Sequence, residues 1–119
     1  MSVQGVKKLT AALDLRRMKT VAGFRQGLMK AGLFLQRESQ KIVPIKTSFL
    51  KASANTRMEG HGAKSVVTVS YSTEYAIYVH EDLEARHKPG KSAKFLEKPL
   101  HEKQNLMAEI IVEEVKKGL

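Results

Sequence analysis

Residues 14–42 carry the pattern that most restricts how this chain can fold. Apolar side chains recur there at spacings of three, four and seven residues, which is the period of one face of an α-helix. They are Val21, Phe24, Leu28, Ala31, Leu35 and Ile42. The opposite side is basic and carries Arg16, Lys19, Lys30, Arg37 and Lys41. The sequence therefore predicts a long amphipathic helix whose apolar face packs against another layer of the protein.

Local signals predict where this helix begins and ends. Asp14 is a candidate N-cap, and Pro44 is expected to end the helix because the residue before a proline avoids helical geometry. Before the cap, residues 2–4 are predicted as a short edge strand and residues 6–12 as one or two helical turns. One side of these turns carries Val6, Leu9 and Leu13.

Glycines occur inside the same helix at a regular spacing. Gly23 and Gly27 are four residues apart and are followed by Ala31, so a second backbone can approach this side closely. Each glycine within a helix costs about 1 kcal/mol relative to alanine. We interpret the spacing as packing within the chain rather than as a contact between subunits.

The rest of the chain predicts a small sheet and a second helix. Residues 52–59 and 65–70 are predicted strands, joined into a hairpin by a turn at residues 60–62. Residues 75–79 are either a helical turn or a third strand. Residues 94–117 are predicted as a helix in which Pro99 lies in the first turn, unless the helix begins only near Lys98. The predicted fold class is α+β, in one domain covering residues 1–119. A small antiparallel sheet is packed with a long N-terminal helix and a C-terminal helix.

The net charge of +9 lies entirely in the N-terminal part of the chain. Residues 1–51 hold eleven basic and two acidic side chains, whereas residues 52–119 hold ten of each. A one-sided basic field is typical of a protein that meets a polyanion or an acidic protein, with a solvated surface as the alternative. The candidate contacts to DNA or to an acidic partner are Arg16, Arg17, Lys19, Lys30, Arg37 and Lys41. We expect binding to duplex DNA to be weak, independent of sequence and strongly reduced by salt.

Signatures of catalysis, metal binding and membrane insertion are missing from the sequence. The chain has no cysteine, which excludes disulfides and thiolate metal sites. His80, Glu81, Asp82 and His87 are close in sequence, but no pair has the spacing of a helical zinc site. We predict no catalytic residues, no metal, no cofactor and no enzymatic activity. No apolar run is long enough to cross a bilayer and no secretory signal is evident, so we expect the protein to stay in the cytoplasm where it is made.

The order of three short stretches resembles the neck, or head-to-tail joining, proteins of tailed bacteriophages, which are also called tail-completion or minor structural proteins. The stretches are VPIKTSFLKAS at residues 43–53, YAIYV at residues 75–79 and FL at residues 95–96. Ser48 stands where that family usually has glycine. The residues that match the family pattern are Val43, Pro44, Thr47, Leu50, Ser53, Tyr75, Ala76, Tyr78, Val79, Phe95 and Leu96.

The resemblance implies a structural virion protein. Copies would form a homo-oligomeric ring in the phage neck that joins the head-closure complex to the tail and surrounds the DNA channel. The implied partners are the neighbouring head-closure and tail-terminator proteins, and non-specific contact with double-stranded DNA is a further expectation. The implied location is the virion neck, after assembly in the cytoplasm of the bacterial host, with no membrane involved.

Residues 82–93 form a charged connector between two apolar anchors, residues 75–79 and 95–100. Leu83 is almost its only apolar side chain, and Pro89 with Gly90 supplies a turn. Burial within the chain cannot offset the entropy of ordering such a segment. We therefore predict a loop that is mobile in the free subunit and becomes ordered when subunits or neighbouring rings meet. Its candidate contact residues are Glu84, Arg86, His87, Lys88 and Lys91.

Two other functional classes are compatible with a short basic α+β chain. One is a small basic nucleic-acid-binding module, although the helix-turn-helix signal of a sequence-specific DNA reader is absent. The other is a toxin-type endoribonuclease, in which His80, Arg86 or His87 would have to converge on a phosphate. Loss of RNA cleavage on replacing these residues would distinguish that class from a structural protein.

Overall fold

One helix of 40 residues, α1 (Val3–Ile42), is the longest element of the molecule. The structure is a computed structural model and describes residues 3–43, 51–72 and 94–119. At about 1.5 Å per residue, α1 is about 60 Å long, and the molecule extends 72 Å along its longest axis. The predicted long N-terminal helix is confirmed, and α1 ends two residues before Pro44, as predicted.

The beginning of α1 differs from the prediction. The helix already includes Val3 and continues through Asp14 without a break, so the predicted edge strand at residues 2–4 and the predicted N-cap are wrong. No proline interrupts this segment, and most of its residues are good helix formers. Asp14 instead lies one turn from Arg17, with 3.5 Å between its carboxylate and the guanidinium.

The predicted hairpin is confirmed. Strands β1 (Ala54–Glu59) and β2 (Val66–Tyr71) pair antiparallel, with Ala54 opposite Tyr71 and Glu59 opposite Val66. A short 3-10 turn lies between the strands. The hairpin packs on α1 at Gly32, where an added Cβ would lie 2.8 Å from a methyl group of Thr56. The sheet is therefore a layer against the apolar face of the long helix.

The C-terminal region forms two helices rather than the single helix predicted over residues 94–117. They are α2 (Glu97–Glu102) and α3 (Gln104–Lys117), and they meet at Lys103, whose φ of −109° and ψ of 10° leave the helical region. Pro99 lies in the first turn of α2, as predicted, and is buried. The α+β class, with a long helix, an antiparallel hairpin and a C-terminal helix, is confirmed.

Helix α3 runs antiparallel to α1 with the two backbones in close contact. A Cβ added to Gly23 would lie 2.8 Å from the carbonyl oxygen of Glu114, and one added to Gly27 would lie 2.7 Å from the Cα of Ile111. Only glycine leaves room for such an approach. The predicted use of these glycines for packing within the chain is therefore confirmed.

A small apolar core lies at the other end of α1. Val43 and Phe95 are almost fully buried there, and the ring of Tyr71 meets Phe95 edge-to-face at 4.9 Å. The hydroxyl groups of Tyr71 and Ser39 are hydrogen-bonded at 2.8 Å. Burial raises the pKa of Tyr71, and the hydrogen bond to Ser39 opposes this shift in part. This core joins α1, β2 and the segment that leads into α2.

Candidate interaction surface

The first part of α1 extends beyond the helix that packs on it. A Cβ added to Gly118, which follows the last residue of α3, would lie 3.1 Å from the carbonyl oxygen of Lys19. The two helices therefore part at Lys19, and α1 extends beyond this point toward its N-terminus for about 25 Å. We call residues 3–19 the arm. Every side chain of residues 6–19 is exposed.

Large apolar side chains on the arm face solvent. Val6, Leu9 and Leu13 are each about half exposed, at 49%, 52% and 58%, and their spacing of three and four residues places them on one face of the helix. Leu15 and Met18 are also exposed but lie on the other side. Single exposed apolar residues are ordinary, whereas a continuous apolar stripe is typical of an interaction surface.

The arm is also strongly basic. It carries five basic side chains and one acidic side chain, which gives a net charge of +4, and the bases are Lys7, Lys8, Arg16, Arg17 and Lys19. The pair between Arg17 and Asp14 is solvent-exposed and long at 3.5 Å. Such a pair contributes little free energy, so it restrains the Arg17 guanidinium only weakly. Three of the six predicted contacts to DNA or an acidic partner therefore lie together on the arm.

The other three predicted contacts lie on the second half of α1 and already have partners within the chain. The Nζ of Lys30 is 2.5 Å from a carboxylate oxygen of Glu114. The Nζ of Lys41 is 3.0 Å from a carboxylate oxygen of Glu38, and the guanidinium of Arg37 lies 5.6 Å from the centre of the Phe34 ring. An incoming anion would have to compete with these contacts, whereas at Arg17 of the arm it competes with the long, exposed pair to Asp14.

Glu114 is a buried acid of α3 with two partners, of which Lys30 links α3 to α1 and Lys117 belongs to α3 itself. Its carboxylate accepts hydrogen bonds from Lys30 of α1 and, at 2.9 Å, from Lys117 of α3. These bonds, with Lys30 first, hold the pKa of Glu114 below its usual value, and the same carboxylate raises the pKa of Lys117. A buried charge is tolerated when it is paired in this way. The cluster therefore has a structural role and explains why Lys30 is engaged.

The second predicted set of contacts lies outside the described residues. It comprises Glu84, Arg86, His87, Lys88 and Lys91, and the choice between a helical turn and a strand at residues 75–79 lies outside them as well. The expected contacts of the loop at residues 82–93 therefore stay predictions.

A mostly apolar cavity of about 680 Å³ lies between α1, β2 and the C-terminal helices. Leu35, Val69 and Ile111 are among its lining residues, and the polar groups at its edge include Glu97 and His101. The Nε2 of His101 is 4.0 Å from a carboxylate oxygen of Glu97, and both side chains are largely exposed. These two groups form a loose surface pair rather than a positioned acid and base.

Within the described ranges, no three histidine, cysteine or acidic residues come close enough to hold a metal ion. No helix in that part of the chain combines the length and the apolar character needed to cross a membrane. The described histidines, His61 and His101, are both exposed.

The sequence predicted the basic residues of the arm but not that the arm extends past the end of α3 with its side chains exposed. It placed Val6, Leu9 and Leu13 on one side of a helix and treated that helix as separate from the one after Asp14. Between Leu13 and Gly23 the positions on the same side of the helix are Arg16 and Thr20, so the apolar stripe does not continue across residues 14–20.

Comparison with protein-family models, with curated proteins and with solved structures found no match for this chain.

Proposed function

We propose that this chain is a structural protein of a tailed-bacteriophage virion. Its copies form a ring in the neck that joins the head-closure complex to the tail and surrounds the DNA channel. The protein is assembled into the particle in the cytoplasm of the bacterial host, and it has no enzymatic activity. The order of the stretches at residues 43–53, 75–79 and 95–96 motivates this proposal.

The arm is the observation that carries the structural role. Over residues 6–19, about 21 Å of amphipathic helix, every side chain is exposed. Most helical stability in proteins comes from packing of the apolar face, so the exposed apolar side chains of the arm gain from contact with another molecule. This need is typical of a subunit whose surface is completed on assembly.

The distribution of charge supports the same role better than it supports catalysis. Active sites converge on a concave pocket in which a few polar groups have perturbed pKa values. Here the basic side chains follow the length of α1. The described groups with shifted pKa values are Tyr71 in the small core and the pair Glu114 and Lys117 beside Lys30, and they serve packing within the chain. Basic groups spread along a helix suit a long charged surface, either DNA in a channel or an acidic neighbouring protein.

Disruption of the gene in a phage that encodes this chain tests the proposal. We expect filled heads and separate tails by electron microscopy, with few joined particles, because the step that fails is joining. Expression of the wild-type chain from a plasmid should restore joined particles. A matched control is complementation with Lys64→Ala, which changes an exposed side chain of the hairpin turn, outside the arm. Joined, infectious particles in the absence of the chain would contradict the proposal.

The second candidate function is a small basic nucleic-acid-binding module, favoured by the +4 charge of the arm. The two proposals differ in how the isolated protein binds DNA. A neck subunit should bind duplex DNA weakly, without sequence preference and with strong salt dependence. Binding of one sequence at about 200 mM salt with the nanomolar affinity of specific binders would favour the second function.

A further inference from the structure

We propose that the outer side of α1 is a docking surface for an amphipathic helix with acidic flanks that belongs to a different protein. The surface is a line of apolar side chains at spacings of three, four and seven residues, which we call the outer stripe. It consists of Ala11, Leu15, Met18, Ala22, Met29 and Leu33. This docking goes beyond the proposed ring, because its partner is not a second copy of the chain.

The outer stripe stays on one side of α1 over its whole length. Steps of four, three and four residues lead from Ala11 to Ala22, and the same steps lead through Gln26 from Ala22 to Leu33. Each set of steps adds eleven residues, which is close to three turns of an α-helix. The stripe therefore forms one line about 33 Å long, and Gln26 is its only polar position.

Most of the outer stripe faces solvent. Leu15, Met18 and Leu33 are 53%, 68% and 48% exposed, both alanines are exposed, and Met29 is half-buried. Scattered exposed apolar residues are ordinary, whereas a continuous line of them is typical of an interaction surface.

The packing contacts of α1 within the chain lie beside this stripe rather than on it. Helix α3 packs on Gly23 and Gly27, and the hairpin packs on Gly32. At about 100° of rotation per residue, these glycines lie roughly 80–140° around the helix from the middle of the stripe. The stripe is therefore open between two rigid neighbours, which hold α1 straight behind it.

The spacing of the stripe selects a helix as its occupant. Apolar side chains that repeat every eleven residues pair helices that run almost straight beside each other. Ala11 and Ala22 leave room for close approach of the second helix. Gln26 would restrict the register, because a buried amide needs a polar partner in the facing helix.

Charge excludes a second copy as the occupant. Helix α1 holds nine basic and two acidic side chains, a net charge of +7, so two copies of α1 packed side by side would repel each other. Helix α2 holds two acidic side chains and one basic, and α3 holds three and two, so each has a net charge of −1. Within the described ranges, this chain therefore has no strongly acidic helix to offer.

A row of basic side chains along one flank of the stripe defines the partner. Lys8, Lys19 and Arg37 are separated by 11 and 18 residues, close to three and five turns, and all three are exposed. Lys30 lies in the same row and is bound to Glu114. Opposite charges beside an apolar seam set partner and orientation in paired helices. The fitting partner is therefore an amphipathic helix with glutamate or aspartate beside its apolar face.

A synthetic helical peptide tests this docking on the purified full-length chain. The probe has about 25 residues, enough to form a helix and to match the stripe, with leucine and alanine at the same steps and glutamate on both flanks. A second probe replaces every glutamate by lysine, and a third contains the residues of the first in scrambled order. By fluorescence anisotropy, the first probe should bind at least about tenfold more tightly than either of the others.

Substitutions in the stripe separate docking from general attraction between opposite charges. Leu15→Gln with Met18→Gln keeps the charge and uses a good helix former, and it should weaken binding of the first probe at least about tenfold. The matched control is Leu106→Gln with Val112→Gln, the same chemical change at exposed apolar residues of α3. This control should leave the affinity unchanged, and circular dichroism should show that both variants are folded.

Three results would overturn the docking. They are equal affinity for the first and the scrambled probe, equal affinity for the first and the lysine probe, and binding that Leu15→Gln with Met18→Gln does not weaken. Self-association of the wild type, measured by mass photometry and lost in the same variant, would show that a second copy occupies the stripe and would overturn it as well. The ring proposal is tested separately, by the loss of joined particles when the gene is disrupted.

Discussion

Replacing Gly27 by alanine tests the contact between α1 and α3 against the opposite expectation from helix propensity. Alanine within a helix is better than glycine by about 1 kcal/mol. At this position, however, the new Cβ would lie 2.7 Å from the Cα of Ile111 and 3.1 Å from its carbonyl oxygen. Both atoms belong to the backbone, so the clash is relieved only if α3 moves as a whole.

The expected size of the effect follows from these two opposing terms. Overpacking of a well-packed contact costs about 1–3 kcal/mol, and a clash with backbone belongs at the upper end of that range. Subtracting the gain in propensity leaves a net loss of about 2 kcal/mol in the free energy of unfolding. For a domain of this size, that loss lowers the Tm by about 8 °C.

Urea unfolding followed by circular dichroism measures the effect, with Ala22→Gly as the matched control. Ala22 is an exposed residue of the same helix, so this change removes the propensity term alone and should cost about 1 kcal/mol. A Gly27→Ala protein that is more stable than the wild type by about that amount would refute the close backbone contact described here.

Three further predictions concern the groups that hold the body together. Phe95→Ala should lower the free energy of unfolding by about 3–5 kcal/mol in urea titration, because Phe95 is 1% exposed and its removal leaves a cavity; a loss below about 1 kcal/mol would contradict its place in the core. Tyr71→Phe should lower the free energy of unfolding by about 1–3 kcal/mol, because the buried hydroxyl of Ser39 loses its partner. The raised pKa of Tyr71 should also appear in a spectrophotometric titration of the wild type, as ionisation only above pH 10. Lys30 lowers the folded-state pKa of Glu114, so the ionised Glu114 should stabilise the fold above pH 4.5, and this stabilisation should be lost as the pH falls through the folded-state pKa. Glu114→Gln should remove this pH dependence from the urea midpoint. An unchanged dependence would show that the cluster is not formed.

The sequence predicted those parts of the fold that depend on local patterns. The period of Val21, Phe24 and Leu28 predicted α1 because a helix places these side chains on one face. The β-branched run at residues 66–69 and the glycine turn before it predicted the hairpin. In both cases the pattern and the packed structure require the same geometry.

The parts that failed depend on context beyond a few residues. Asp14 has the side chain of an N-cap, yet an aspartate inside a helix is only weakly unfavourable, and the good helix formers on both sides keep α1 continuous. The break at Lys103 has no glycine or proline to mark it. The exposure of the arm was also beyond local reasoning, because it depends on where α3 ends relative to α1, and helical periodicity does not contain that alignment.

Cryo-electron microscopy of the neck, in particles that contain this chain, tests the proposed ring most directly. We predict a closed ring of identical copies between head and tail, each with α1 beside the hairpin and α3. A neck in which no ring of copies accommodates this fold, or joined particles from which the chain is absent, would contradict the account.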